Sequence, residues 1–255
     1  WLDGGMTYSS ALFASPQQSL RDAQDTKYHR LAHLLDLRCG HHVLDIGCGW
    51  GGFAEYLAKA GCRVTGLTLS SRQAAFARER LQQAQLDAQV TILEQDYRAV
   101  RGRFDRIASI EMFEAVGEAY WPTFFAVMRD RLVAGGIAAM QVITIDEARF
   151  AAYRRCVDFI QHYIFPGGML PTMAALRTEI GRAGLRVTHR TSFGSSYALT
   201  LARWQERFQN AWPQVRSLGF DDRFKRTWEY YLSYCEAGFR AGSIDVCQLR
   251  IERPT

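Results

Sequence analysis

The sequence lacks the features that mark several classes of protein. Its six cysteines form no CxxC pair and no regular spacing, which argues against a disulfide framework or a zinc site and indicates a reducing compartment. No apolar run approaches the roughly 18 residues that a membrane-spanning helix needs, and no signal peptide is visible. Repeats and Pro/Ser-rich linkers are missing as well. We therefore expect a soluble, cytoplasmic protein with free thiols.

Composition narrows the fold class. The 255 residues are 48% hydrophobic and 13% aromatic, which is enough for a sizeable core and excludes a disordered chain, a coiled coil and a collagen-like fibre. Lysine and arginine exceed aspartate and glutamate by 31 to 26, a net charge of +5. This modest excess is compatible with a basic face toward nucleic acid or anionic lipid, and it does not choose between them.

Short apolar runs alternate with segments of helical spacing. Strands are predicted at 43–47, 63–69, 90–96, 104–112 and 137–145, with helical segments between them. Beyond residue 145 come a helical insertion at about 146–172, a helix near 172–183, a strand at 185–193, a helical region at about 197–240 and a last strand at 244–252. Alternation of this kind indicates βαβ units. We predict one α/β domain over residues 1–255, Rossmann-like, with a doubly wound, mostly parallel seven-stranded sheet.

The most specific local signal is the loop Asp45-Ile46-Gly47-Cys48-Gly49, where a buried strand runs into a glycine turn and then a helix. Glycines 47 and 49 permit positive φ angles and a close approach of ligand to backbone. The order D-x-G-x-G differs from the G-x-G-x-x-G of dinucleotide sites, and the Asp45 carboxylate suits a cationic or amine-bearing ligand. The pattern is typical of S-adenosylmethionine-dependent methyltransferases, and a plain tight turn between strand and helix is the alternative.

The ends of the second and third strands supply further candidate cofactor contacts. The second strand ends without the acid that normally binds ribose hydroxyls, so hydroxyl, amide and backbone groups must replace it. After the third strand, an acid and an aromatic ring stand where an adenine could be bonded and covered, although Tyr97 could instead pack within its loop. The predicted contacts are Thr68, Leu69, Gln73, Gln95, Asp96 and Tyr97.

Several longer segments resemble the cyclopropane-fatty-acid synthase family, which includes the mycolic-acid cyclopropane synthases. The resemblance covers essentially the whole chain in the right order. The D/N/S-P-P-Y/F segment of many amide and nucleobase N-methyltransferases is missing from the end of the fourth strand. The segments that carry the resemblance are MTYS at 6–9, GLTLS at 66–70, IEMFEAVG at 110–117, DFIQHYIFPGGMLP at 158–171, YALTL at 197–201 and YYLSYCEAGFRAGSIDVCQ at 230–248.

The resemblance implies a reaction on lipid. A double bond in an unsaturated fatty-acyl chain attacks the methyl group of S-adenosylmethionine, a carbocation forms, and a base removes a methyl proton as a cyclopropane ring closes. Members of the family hold bicarbonate as this base. The resemblance therefore implies two cofactors, S-adenosylmethionine and bicarbonate. It also implies a phospholipid substrate at the inner face of the membrane, helical additions that cover an acyl site, and no nucleic-acid partner; a homodimer stays open.

Residues of the bicarbonate cage can be carried over by position. Glu114 matches the family's glutamate, Tyr197 its tyrosine, and Cys235 a cysteine close to the same pocket. Ser10 stands where the family usually has cysteine, a change that a backbone N–H contact tolerates. Ile143 replaces the family's histidine, so one donor to the anion is missing.

Two outcomes follow from this missing donor. If Gln141 or a water fills the gap, the ring closes, and this is the primary expectation. Otherwise the cation loses a proton from a neighbouring carbon and gives a methyl-branched alkene. Glu114 could itself be the base in a desolvated pocket, where its pKa would rise toward neutrality.

The N-terminal segment also takes part in the resemblance. Tyr8 and Ser9 match residues that contact the cofactor, and Ile110 lies on the strand beneath the site. Because the chain begins at Trp1 and these residues follow almost at once, we expect the natural protein to be longer at its N-terminus. The aromatic residues between 150 and 165 are expected in the core by base rate, and the resemblance implies that some line an acyl channel. A nucleic-acid methyltransferase and a cofactor-binding protein without catalysis remain competing hypotheses.

Overall fold

Seven strands form one sheet in the computed structural model, which describes residues 1–255. The strand order is β3-β2-β1-β4-β5-β7-β6, and β7 runs antiparallel to both of its neighbours while the other pairs are parallel. The predicted doubly wound, mostly parallel α/β fold is therefore confirmed. The strands are β1 His42–Ile46, β2 Arg63–Thr68, β3 Val90–Glu94, β4 Phe104–Ile110, β5 Leu132–Ile145, β6 Arg186–Ser192 and β7 Ile244–Glu252.

Eight α-helices accompany the sheet, and several begin at a side chain that caps the first turn. Ser19, Ser70, Thr172 and Asp221 each accept a hydrogen bond from a backbone N–H of the turn that follows, which satisfies a donor that the helix leaves free. The helices are α1 Leu20–Leu34, α2 Gly52–Lys59, α3 Ser71–Gln83, α4 Trp121–Arg131, α5 Glu147–Tyr153, α6 Met173–Arg182, α7 Gly194–Ser217 and α8 Asp222–Arg240. No helix combines the length and apolar character that crossing a bilayer requires.

Helices cover both faces of the sheet. Buried residues of α4 and α6 pack on one face with Leu44 and Ile107 of the central strands, and residues of α1, α2 and α3 pack on the other with Val43 and Ala108. A third apolar cluster joins α7 and α8 to the N-terminal segment around the fully buried Trp204. This cluster holds the first residues of the chain over the carboxyl ends of the strands.

Two local features differ from the sequence prediction. Strand β5 begins at Leu132 rather than near residue 137, because a bulge lets Phe104 pair with Leu132 while Arg106 pairs with Ile137. In the helical insertion, α5 is followed by one π-helical turn at Ile160–Ile164, and no residue from 150 to 165 is fully buried. The expectation that these aromatic residues belong to the core therefore holds only in part: Phe150 and Phe159 are half-buried and pack against core clusters, whereas Tyr163 and Phe165 are exposed.

Candidate active site

A cavity of about 930 Å³ opens at the carboxyl ends of β1, β2 and β4, where open α/β sheets bind their ligands. The N-terminal segment, the segment 158–170 and the helices α7 and α8 complete its walls. Of the residues predicted to form the site, only Ser10 lies outside the lining. The others are Tyr8, Ser9, Asp45, Gly47, Gly49, Thr68, Leu69, Gln73, Gln95, Asp96, Tyr97, Ile110, Glu114, Tyr197 and Cys235.

The glycine loop presents an unpaired carboxylate to this cavity. Asp45 is buried at the end of β1, its Oδ2 has no hydrogen-bond partner, and burial raises its pKa to about 7. Gly47 has φ +85°, and a Cβ there would lie 2.6 Å from Met112 Cγ, whereas the space beside Gly49 is open. A buried carboxylate without a partner is costly. The loop therefore fits a cationic, amine-bearing ligand, as S-adenosylmethionine is.

The other predicted cofactor contacts differ in whether their side chains already have partners within the protein. Thr68 Oγ1 donates to Gln73 Oε1 at 2.8 Å, so these two side chains position each other. The side chain of Leu69 is exposed, which leaves its backbone as the useful group. Tyr97 packs edge-on against Phe124, as the packing interpretation expected, and it also lines the cavity. Its contact with an adenine stays a prediction.

Asp96 is already engaged. Arg98 donates to Asp96 Oδ1 from Nε at 2.9 Å and to Oδ2 from Nη2 at 2.7 Å, and these bonds hold the pKa of Asp96 below its usual value. Since Oδ2 receives only this bond, one acceptor position remains for a ligand.

Glu111, which the sequence patterns did not single out, lies where the predicted cage residues meet. Its Oε1 accepts hydrogen bonds from the backbone N–H of Ser10 at 2.9 Å and from Gln141 Nε2 at 2.7 Å. Its Oε2 accepts one from the Tyr197 hydroxyl at 2.7 Å. Burial raises the pKa of Glu111, while these bonds and the nearby Lys27 ammonium oppose the rise. Its place at the carboxyl end of β4 was the available signal, the same one that identified Glu114.

The predicted bicarbonate cage is thereby corrected. Ser10 does contribute its backbone N–H, and Gln141 does fill a donor position, but both bonds end on the Glu111 carboxylate, as does that of Tyr197. Ile143 offers only its backbone N–H, which donates to Glu114 Oε1 at 2.6 Å. Because these donors are occupied, the residues present do not fit a separate bicarbonate ion.

Glu114 has a different environment from Glu111. Its Oε2 is buried without a partner, and burial followed by repulsion from Glu111 raises its pKa to about 8. The expected rise is therefore present, and it has a consequence. A carboxyl group with this pKa keeps its proton at neutral pH, so Glu114 is poorly suited to accept another.

Aromatic and apolar side chains form the opposite wall. The hydroxyls of Tyr8 and Tyr231 hydrogen-bond each other at 3.0 Å, and the Tyr8 ring packs near Trp204 and Phe165. Burial raises the pKa of Cys235 to about 12, so this residue lines the cavity as a neutral thiol. Ser9 Oγ accepts a hydrogen bond from the buried Lys27 at 2.7 Å. With its aromatic rings and neutral thiol, this wall suits a hydrocarbon chain.

Comparison with known proteins identifies the family. The sequence model described as mycolic acid cyclopropane synthetase matches residues 1–249. The chain belongs to this family. A tuberculostearic acid methyltransferase, UfaA1 of Mycobacterium tuberculosis, is 41% identical over 99% of the chain, and a cyclopropane-fatty-acyl-phospholipid synthase of Escherichia coli is 38% identical over 99%. The chain spans 61% and 63% of the length of these two relatives.

A solved member of the mycolic acid cyclopropane synthetase family shares the fold. The mycolic acid cyclopropane synthase CmaA1, complexed with SAH and CTAB, superimposes with a TM-score of 0.91 and 30% identity over 98% of this chain and 91% of that one. The fold is therefore that of S-adenosylmethionine-dependent methyltransferases.

Proposed function

We propose that the protein transfers a one-carbon unit from S-adenosylmethionine to the double bond of an unsaturated fatty-acyl chain. One observation carries this proposal: a single cavity joins the unpaired Asp45 carboxylate of the glycine loop to a wall of apolar and aromatic side chains. A polar cofactor and a hydrocarbon chain can thus meet in one space. The membership of the mycolic acid cyclopropane synthetase family supports the same chemistry.

Different residues of the chain would contact the cofactor and the lipid. Asp45 binds the positive charge of the cofactor, and the loop around Gly47 and Gly49 lets the backbone approach it. When bound, S-adenosylmethionine supplies an electrophilic methyl group. Tyr8 and Tyr231 line the same cavity, and aromatic rings there would stabilise the positive charge that develops on the acyl chain.

Two products are consistent with this reaction. Ring closure is the product that the sequence resemblance predicted, and the 38% identity to a cyclopropane-fatty-acyl-phospholipid synthase supports it. A methyl-branched alkene is favoured by Ile143, which replaces the family's histidine, and by the 41% identity to a protein named a methyltransferase. We favour the methyl-branched alkene, which reverses the order predicted from the sequence, and retain the cyclopropane as the second candidate.

The lipid is proposed to reach the site from the cytoplasmic face of a membrane as a phospholipid. Val157 and Tyr163 are 72% and 60% exposed, and the neighbouring Ile160 and Phe165 line the cavity. An exposed apolar segment that continues into the cavity suits the entry of an acyl chain. The net charge of +5 favours an anionic membrane surface.

Nucleic acid is a poor alternative substrate. Of the four arginines between residues 98 and 106, Arg106 is buried against the backbone carbonyls of Leu35 and Asp36, and Arg98 is paired with Asp96. Only Arg101 and Arg103 of this cluster are exposed without an acidic partner, which is a small basic surface for a nucleic acid. A homodimer stays a prediction.

The direct test incubates purified protein with S-adenosylmethionine and vesicles of dioleoylphosphatidylglycerol. We expect S-adenosylhomocysteine to accumulate together with a lipid that has gained CH₂. Since both candidate products have the same mass, proton NMR distinguishes them: cyclopropane protons resonate far upfield, whereas an alkene retains olefinic signals. The proposal would be overturned if a protein that binds S-adenosylmethionine produced neither S-adenosylhomocysteine nor a modified lipid.

A further inference from the structure

The donors that a bicarbonate base would need are bound to a carboxylate of the chain itself. Ser10, Gln141 and Tyr197 come from three distant parts of the sequence, and all three donate to Glu111. We propose that Glu111 is the base that removes the proton after methyl transfer, and that the protein needs no bicarbonate. This inference rests on the proposed function and names the group that completes it.

The hydrogen-bond pattern leaves Glu111 able to accept a proton. Each carboxylate oxygen has two acceptor positions. Oε1 uses both, for Ser10 and Gln141, whereas Oε2 uses one, for Tyr197. Oε2 therefore keeps one free acceptor position, and Glu111 itself lines the cavity. The three bonds fix the carboxylate in one orientation, so that no reorganisation is required when the substrate cation forms.

The surroundings also exclude other bases. A bicarbonate ion beside Glu111 would bring a second negative charge close to it in a buried space, where the donors of Ser10, Gln141 and Tyr197 are already bound to the Glu111 carboxylate. Glu114 holds its proton at neutral pH, and its Oε1 is bound to the backbone N–H of Ile143. Of the two buried carboxyl groups, Glu111 is the one with three donors and the nearby Lys27 to favour its charged form.

The proton transfer balances without a further reactant. For the alkene, a C–H bond on a carbon next to the cationic carbon breaks, its proton moves to Glu111 Oε2, and its electron pair forms the new double bond. For the cyclopropane, a C–H bond of the transferred methyl group breaks instead, its proton moves to Glu111 Oε2, and its electron pair forms the third bond of the ring. Glu111 returns its proton to water after the product leaves. The lipid gains CH₂, and the single proton released accompanies S-adenosylhomocysteine.

The backbone at Glu111 offers a clean way to remove this carboxylate. Glu111 has φ +48°, a left-handed conformation that is uncommon for residues other than glycine. Glycine adopts it without strain. Glu111→Gly therefore preserves the chain path and leaves a space lined by the donors of Ser10, Gln141 and Tyr197. That space has the size and donors for a small anion.

The test compares the wild type, Glu111→Gly and Glu111→Gln in carbonate-free buffer, with and without millimolar bicarbonate. We expect wild-type turnover on dioleoylphosphatidylglycerol vesicles to be the same in both buffers. Both variants should bind S-adenosylmethionine normally and lose about 100-fold or more in turnover. Bicarbonate should restore turnover to Glu111→Gly in a saturable way, and it should not restore Glu111→Gln, whose amide fills the space. Glu206→Gln, an exposed change on α7, controls for preparation.

A second measurement does not depend on turnover. Carbon-13 NMR of labelled bicarbonate should show binding to Glu111→Gly and none to the wild type. The inference is overturned if the wild type binds bicarbonate or slows when it is removed, or if Glu111→Gln keeps wild-type turnover. If the wild type is inactive on lipid, but bicarbonate binds to Glu111→Gly and not to the wild type, the proposed function is contradicted. The conclusion that Glu111 occupies the bicarbonate position would then still hold.

Discussion

Replacing Glu114 with glutamine should make the protein more stable, and increasingly so as the pH rises. The ordinary pKa of the carboxyl group is 4.5, and in the folded protein burial and the charge of Glu111 raise it to about 8. Between these values the folded state holds a proton that the unfolded state has released. Since the folded state binds more protons, the free energy of unfolding of the wild type falls as the pH rises through this window.

The size of the effect follows from the two pKa values. Going from pH 5 to pH 8, the wild type should lose at most about 3.5 kcal/mol relative to Glu114→Gln, and less than this because part of the residue faces the cavity. Urea unfolding followed by tryptophan fluorescence at both pH values measures this difference. Glu206→Gln, which removes an exposed carboxylate, should shift stability equally little at each pH. A gap between Glu114→Gln and wild type that does not change with pH would refute the reasoning.

Three further substitutions probe the glycine loop and the buried lysine. Asp45→Asn should weaken S-adenosylmethionine binding by about 10- to 100-fold in calorimetry, because a charged partner is lost; unchanged affinity would remove Asp45 from the site. Gly47→Ala should lower the melting temperature more than Gly40→Ala, since both have φ +85° but only Gly47 meets a neighbour, Met112; equal shifts would contradict that clash. Burial lowers the pKa of Lys27 from 10.5 to about 7, so wild-type stability should rise relative to Lys27→Met by about 2 kcal/mol between pH 7 and pH 9. A flat or falling difference in urea unfolding would show that Lys27 keeps its proton in the folded state.

The fold was largely predictable because its signals are local. The strand before Gly47 is apolar and ends in glycines, and the last strand, Ile244–Glu252, has the predicted bounds. Strand β5 was harder to place. Its first residues, Leu132–Gly136, look like the end of α4 because the bulge that pairs Leu132 with Phe104 is created by the neighbouring strand. The direction of β7 likewise depends on the path of α8 rather than on residues within the strand.

The sequence predicted which residues line the site, but it did not predict the hydrogen bonds that connect them. All predicted positions except Ser10 line the cavity, since strand ends and resemblance both point there. The sequence did not predict the position of Glu111 in this network, because that position depends on a φ of +48° and on hydrogen-bond partners at positions 10, 141 and 197. No spacing rule connects residues so far apart in the sequence. The sequence also gives no indication that the Glu111 carboxylate already occupies the donors of the predicted bicarbonate site.

The left-handed backbone at Glu111 has an evolutionary consequence. Glutamate and glycine codons differ by a single nucleotide, and glycine is the residue that this conformation accepts most easily. One point mutation can therefore exchange a base built into the chain for an empty space that recruits one from solution, with the surrounding donors unchanged. If Glu111 is the base, as proposed, a lineage carrying this site could therefore change its dependence on dissolved carbonate in one step, because glycine fits this backbone without strain.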